Sequence, residues 1–210
     1  MTGNKDKQYR LMELTESDLS SDPFEQFKNW YSETELSDFP FPNAFILSTS
    51  DNEGKISSRV VLLKGYDNNG FKFYTNERSR KGKDLKRNKN ASICFWWDRL
   101  ERQVRIEGIV STLSDSESDD YFKSRPRGSQ LGAWASEQSE VIIDRSVLDN
   151  AYKEYDEKYN NTDIPRPESW KGYILKPQTF EFWQGRDNRL HDRFLYTNEN
   201  NSWNIKRLAP

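Results

Sequence analysis

The stretch NAFILSTSDNEGKISSRVVLLKGY occupies residues 43–66. Two apolar, β-branched runs flank Asp51-Asn52-Glu53-Gly54, the composition of a hairpin turn. The same grammar continues downstream. A second turn, DNNG at 67–70, leads into FKFYTN at 71–76, and ASICFWW (91–97) and RQVRIEGIVSTL (102–113) follow. Five strands within about 70 residues, joined mainly by short turns, predict an antiparallel sheet or barrel. Four more follow late in the chain: KGYILKP (171–177), TFEFWQG (179–185), DRFLYT (192–197) and WNIKRL (203–208).

Helical signals fall between these runs. Ser21 or Asp22 caps a helix in which Pro23 suits the first turn and Phe24, Phe27 and Tyr31 recur at helical spacing. SRKGKDLKRN (79–88) reads as a short basic helix. Ser114 and Glu117 stand at capping-box spacing before a third. Leu148, Tyr152, Tyr155 and Tyr159 form one stripe of a fourth. DIPRPESW (163–170) is a Pro-rich connector. There is no repeat and no clear linker. The fold class expected is α+β: residues 21–210 as one domain around a β-barrel with flanking helices, preceded by a mobile arm over 1–20.

Bulk composition narrows the function. The chain has 210 residues, 33% hydrophobic and 31% charged, which suffices to bury a core without disulfides. Aromatic residues reach 14%, too many for a disordered chain. A formal net charge of −2 argues against a general nucleic-acid binder, although seven Lys and Arg lie between Arg78 and Lys89. Aromatic interleaving is missing there. The single cysteine, Cys94, lies in an apolar run and reads as a small hydrophobe. One His and one Cys cannot supply an ordinary zinc site, so no metal is expected. No apolar run approaches the ~18 residues of a membrane span. The N-terminus lacks the apolar core of a secretion signal, so the expected location is cytoplasmic.

Four clusters can carry chemistry. Arg59 and Lys64 sit in the apolar SRVVLLK. They are five apart and point to opposite faces of a regular strand, so either a bulge intervenes or they serve different parts of a site. Tyr74 and Thr75 end a strand, and Ser79, Arg80 and Lys81 open a helix, giving either a phosphate cradle or a solvated basic face. Neither Gly-rich nucleotide-loop pattern is present. Tyr121, Arg125 and Ser129 recur every four residues across a helix interrupted at Pro126, with Gln138 and Ser139 beyond. Finally, EFWQGRDNRLHDRF (181–194) holds His191, the only histidine, between Arg189 and Arg193. In an extended strand these three share a face, which suits an anionic or electron-rich ligand. Trp183 is either core or a stacking surface for a flat ring, and Gln103 is either a satisfied strand amide or a hydrogen-bond partner for that ring.

In this order, SRVVLLK, FYTN…SRK, ERQVRIEG, YFKSRPRGSQLGAWASEQS and EFWQGRDNRLHDRFLY resemble the pyridoxine 5′-phosphate oxidase family. The likeness runs from Ser20-Ser21-Asp22-Pro23 to the terminal Arg207-Leu208-Ala209-Pro210. It implies an FMN-binding split β-barrel and a homodimer, with an FMN site at each end of the interface built from both subunits. It implies oxidation of pyridoxine 5′-phosphate or pyridoxamine 5′-phosphate to pyridoxal 5′-phosphate. Oxygen is the electron acceptor, giving hydrogen peroxide, with ammonia released from the amine. Carried over by position, the FMN set is Arg59, Lys64, Tyr74, Thr75, Arg80, Lys81, Gln103, Gln138, Ser139, Trp183 and Arg193. Lys64, Tyr121, Arg125 and Ser129 match the substrate-phosphate positions, and Arg189 and His191 match the catalytic positions that hold the substrate ring.

One departure concerns the arm. Some members carry an Arg three residues before a Tyr there; here Tyr9 matches but the other position is Asp6, leaving Lys7 or Arg10 to substitute. The runner-up reading is a split-barrel flavin reductase or flavin-binding protein with another substrate. It needs the Arg80–Lys81 region but not Tyr121, Arg125, Ser129, Arg189 and His191 together.

Overall fold

The alternating runs assemble into one antiparallel sheet in the computed structural model, which describes residues 11–200 and 202–210. Nine strands are present among the described residues: β1 (Ala44–Ser50), β2 (Ile56–Leu62), β3 (Gly65–Asp67), β4 (Gly70–Asn76), β5 (Asn90–Trp97), β6 (Arg102–Thr112), β7 (Trp170–Gln184), β8 (Asp192–Glu199) and β9 (Ser202–Arg207). Their order is β2-β1-β5-β6-β7-β4-β3, with β8 also paired to β7 and β9 to β8. The helices are α1 (Pro23–Leu36), α2 (Arg80–Arg87), α3 (Asp115–Ser124), α4 (Arg127–Ala135) and α5 (Ser146–Lys158).

The long strand β7 forks the sheet. Its first part, Trp170 to Leu175, pairs with β4, and its last part, Thr179 to Gln184, pairs with β8. Two separate strands were expected here; β6 instead pairs along both parts, with its register shifted between Glu107 and Gly108. Pro177 lies opposite Gly108 and has no N–H to give to a ladder. The backbones come so close that a Cβ on Gly108 would lie 2.1 Å from the Lys176 carbonyl oxygen.

The barrel closes through one kinked segment. β2 pairs with β1, the chain leaves strand geometry at Leu63 and Lys64, and β3 then pairs with β4. The Lys64 N–H donates to the Lys72 carbonyl at 2.9 Å. Beyond that point β2 and the C-terminal half of β4 are not hydrogen-bonded to each other, which leaves an open seam. The kink also settles the Arg59–Lys64 ambiguity, since the two residues no longer obey one strand's alternation.

Helices plug both ends. Asp22 caps α1 by accepting the Phe24 N–H at 2.9 Å. The apolar face of α1 sets Phe27, fully buried, against Phe71, Phe95 and Tyr66, with ring centroids 4.9–5.2 Å apart. At the other end α2 buries Leu85, Lys81 and Asp84 near the ends of β1 and β2. Pro126 separates α3 from α4 as expected, and Tyr155 of α5 and Tyr159 at its C-terminal cap pack on Trp134 of α4.

Residues 11–20, assigned above to a mobile arm, are docked on the barrel. The Leu14 N–H donates to Asp192 at 3.1 Å, Glu13 pairs with Arg186 at 2.9 Å, and the Tyr196 hydroxyl donates to the Ser20 carbonyl at 2.8 Å. Asp6, Lys7, Tyr9 and Arg10 lie outside the described residues.

Phe27→Ala removes the ring on which three strands converge. It should cost about 3–5 kcal/mol, read as a lowered denaturant midpoint with an unchanged slope; a loss below about 1 kcal/mol would show that α1 is not part of the core.

Candidate active site

A cavity of about 980 Å³ opens along the seam. Its walls are the ends of β2 and β4, the α3–α4 corner and the chain just after α4. Ten predicted residues line it: Arg59, Lys64, Tyr74, Thr75, Lys81, Tyr121, Arg125, Ser129, Gln138 and Ser139. Arg80, at the first turn of α2, is exposed and is not among them.

One end of the cavity gathers Arg59 and Lys81. Ser79 caps α2, and its buried hydroxyl donates to the Asn76 carbonyl at 2.7 Å. Gly82 permits the tight entry, because a Cβ there would lie 2.3 Å from the Glu77 carbonyl oxygen. This turn carries Lys81 inward until it is only 8% exposed. Its ammonium donates to Gln138 Oε1 at 3.0 Å and Thr75 Oγ1 at 3.2 Å, both neutral. Burial, and then the neighbouring Arg59, push its pKa down to about 8. Among the described residues this buried ammonium, beside a guanidinium, is held only by neutral oxygens and has no anionic partner. Ser139 adopts a left-handed backbone (φ 76°) at the rim.

At the other end stands Arg125. Its guanidinium lies over the Trp170 ring, 4.9 Å from the centroid. Its Nη1 is buried and finds no hydrogen-bond partner among the described residues. A buried donor without an acceptor is costly and marks a ligand's place. Tyr121 stacks on Tyr74 at 4.1 Å, and both rings line the cavity. Trp170 and Asn76 also line the cavity and were not anticipated; Trp170 ends a Pro-rich connector, where local pattern says nothing about what it faces.

The remaining predicted residues form a second group. Gln103, Trp183 and Arg193 occupy one register row across β6, β7 and β8. None lines the seam cavity. Trp183 meets Trp96 at 5.8 Å and the His191 ring at 4.5 Å. Arg193 is held by Glu181 at 2.9 Å and the Ala209 carbonyl at 2.7 Å.

The expectation that Arg189, His191 and Arg193 share one face of a strand is corrected. β8 begins only at Asp192, and Arg189 lies in a 3₁₀ turn where Asn188 and Arg189 both take positive φ, 56° and 63°. The turn forms because the Leu190 N–H closes on the Asp187 carbonyl and the Arg186 N–H donates to His191 Nδ1 at 3.1 Å. That bond makes Nδ1 an acceptor and leaves the ring proton on Nε2. Burial first, then Arg189 and Arg193, hold the imidazole below its usual pKa against the opposing pull of Asp192. His191 is therefore a neutral Nε2–H donor near pH 7. Cys94 is a half-buried thiol whose pKa burial raises, which suits the reading as a small hydrophobe.

Fold and cavity together define a split β-barrel with a cavity lined by cationic side chains at its seam. Comparison with known proteins places it further. Residues 32–159 match the pyridoxamine 5′-phosphate oxidase family, and residues 170–210 match the pyridoxine 5′-phosphate oxidase C-terminal dimerisation region. The chain is 50% identical over 204 residues to a pyridoxine/pyridoxamine 5′-phosphate oxidase of Acaryochloris marina, covering 97% of this chain and 93% of the relative. It is 51% identical over 205 residues to the enzyme of the same name from Trichormus variabilis, covering 97% and 96%. Among solved structures, PhzG from Burkholderia lata, in complex with tetrahydrophenazine-1-carboxylic acid, superposes with a TM-score of 0.90 at 30% identity, covering 97% of this chain and all of that one. A pyridoxamine 5′-phosphate oxidase-related, FMN-binding protein from Nostoc punctiforme shares the fold at a TM-score of 0.73 and 18% identity, covering 91% of this chain and all of that one. The chain belongs to the pyridoxine/pyridoxamine 5′-phosphate oxidase family and is an oxidoreductase.

Lys81 gives the cavity a pH signature. Free Lys81 loses its proton above pH about 8, and an anion beside it favours the charged form. Binding of a phosphate-bearing ligand then takes up a proton, so affinity should fall as pH rises from about 7 to about 9.5. Fluorescence titration with FMN measures this. Lys81→Arg, which stays protonated, should flatten the curve; a flat wild-type curve would remove Lys81 from the anion site.

Proposed function

We propose that the protein is an FMN-dependent oxidase of pyridoxine 5′-phosphate and pyridoxamine 5′-phosphate, forming pyridoxal 5′-phosphate. Oxygen accepts the electrons and leaves as hydrogen peroxide, and the amine substrate also yields ammonia. The observation that carries this reading is a cavity with two cationic ends. Among the described residues, Lys81 and Arg59 have no direct anionic partner at one, and the buried Arg125 Nη1 has no acceptor at the other. Two phosphorylated ligands, cofactor and substrate, fit that pair better than one.

When bound, FMN supplies the hydride acceptor and the path of electrons to oxygen. Arg59, Lys81 and Ser139 hold its phosphate, assisted by Thr75, Gln138 and Arg80 at the rim. Tyr121, Arg125, Ser129 and Lys64 hold the substrate phosphate. Arg189 lies over the substrate ring and His191 donates Nε2–H to it, fixing the C4′ group for transfer. Gln103, Trp183 and Arg193 stand near the flavin ring, where Arg193 stabilises negative charge. Positioning supplies much of the rate.

A site shared by two subunits is supported by the lining of the cavity: Arg189 and His191 are not part of it in the same chain, and a partner would supply them. A homodimer is further supported by apolar side chains left uncovered on the outside of the barrel: Val60 (67% exposed), Ile46 and Trp96, with Val141 and Ile143 just after Ser139. The C-terminal match to a dimerisation region agrees with this.

The test is optical. The purified protein should be yellow, bleach when pyridoxine 5′-phosphate is added without oxygen, and recover its colour in air. Arg189→Ala should lower turnover by about 100-fold or more with FMN retained, and Lys81→Ala should weaken FMN retention. A yellow protein that the phosphate ester does not bleach would favour a split-barrel flavoprotein with another substrate; one that cannot take up FMN would sink both readings.

A further inference from the structure

Among the described residues Arg59 has no direct carboxylate partner, yet its guanidinium is held on three sides. Nη1 donates to the Leu47 carbonyl at 3.1 Å and to Thr49 Oγ1 at 2.8 Å. Nη2 donates to Ser57 Oγ. Both hydroxyls in turn meet one carboxylate oxygen of Asp84: Thr49 Oγ1 at 2.7 Å and Ser57 Oγ at 3.2 Å. Asp84 is 7% exposed and Thr49 2%.

The direction of every bond in this relay is forced. A guanidinium can only donate and a carboxylate can only accept. Each hydroxyl has one proton, which must go to Asp84, so its lone pairs face Arg59. The hydroxyls cannot rotate to donate elsewhere without breaking the chain. Both hydrogens of Nη1 and one of Nη2 are thereby spent within the protein. What remains is Nε–H and the second Nη2–H, which have no partner among the described residues. These two nitrogens can engage an oxyanion as a pair. The placement follows from the fold. Thr49 is paired with Ser57 and Leu47 with Arg59 across β1 and β2, so all four share the inner face at the end that α2 plugs. Asp84 comes from α2, one turn beyond Lys81.

We infer that Asp84, acting through Thr49 and Ser57, is a positioning residue that aims Arg59 at the phosphate of the flavin cofactor. The inference rests on the proposed assignment of the Arg59–Lys81 end to FMN. Asp84 also brings a negative charge towards an anion site, which by itself would weaken binding. The relay resolves the conflict, because the charge is spent orienting a cation that stands between it and the phosphate.

The test compares FMN with riboflavin, which lacks the phosphate, by fluorescence titration of the flavin-free full-length protein. Asp84→Asn and the charge-neutral Thr49→Val should each raise the FMN dissociation constant about tenfold and leave that of riboflavin unchanged. Thr49→Ser keeps the hydroxyl and should retain the wild-type ratio. In an Arg59→Ala background, Asp84→Asn should cost no further FMN affinity, because Asp84 supports the phosphate only through Arg59. Equal losses for both flavins, tighter FMN binding in Asp84→Asn, or additive effects in the double variant would overturn the inference while leaving the site assignment intact. If Arg59→Ala itself leaves the FMN-to-riboflavin ratio unchanged, the assignment of that end to FMN fails, and the inference with it.

Discussion

The structure turns on the division of β7. One strand cannot pair along its whole outer edge with a single neighbour when its two parts diverge. Here the first part takes β4 and the last takes β8, with Pro177 near the fork. β4 is thereby drawn round to the β3 end of the β2–β3 segment, and the barrel closes at Lys64 but not beyond it. The open seam is where α2, α3 and α4 add their polar residues. Had β2 paired along β4, the ladder would fill the space that the cavity occupies.

Electrostatics then gives the seam its chemistry. Among the described residues, Lys81 is buried against neutral oxygens and Arg125 holds a buried donor without an acceptor. Native interiors rarely tolerate either without a ligand, since each costs free energy that packing must offset. Tyr74, Tyr121 and Trp170, stacked within 18° of parallel, give the cavity an aromatic wall. The second group, around Trp183 and His191, lies on the outer face among side chains such as Trp96 that one chain leaves uncovered.

Much of this was legible in the sequence because the signals are local. Hairpin turns, the capping box at Ser114 and Glu117, and the Ser79 cap each report on a few neighbouring residues, and each recurs in the structure. The cationic residues of the seam were readable as a set only through the family likeness. What escaped was non-local. The continuity of β7 past Pro177 depends on β6 bulging opposite it, which no period-2 pattern encodes. The 3₁₀ turn at Arg189 depends on the Arg186 N–H finding His191 Nδ1, so the alternation expected for a strand did not apply. The Asp84 relay joins residues 35 positions apart through two hydroxyls of the sort that usually face water.

In the proposed enzyme the seam cavity of one subunit and the Arg189–His191 group of another make one site. Subunit complementation tests this directly. Arg125→Ala and Arg189→Ala homodimers, each inactive alone, are unfolded, mixed in equal amounts and refolded together. If the site is shared, each mixed dimer carries one intact site, and activity should return to about a quarter of wild type for random pairing. If both groups serve the same subunit, every site in the mixed dimer still carries one lesion, and no activity would return.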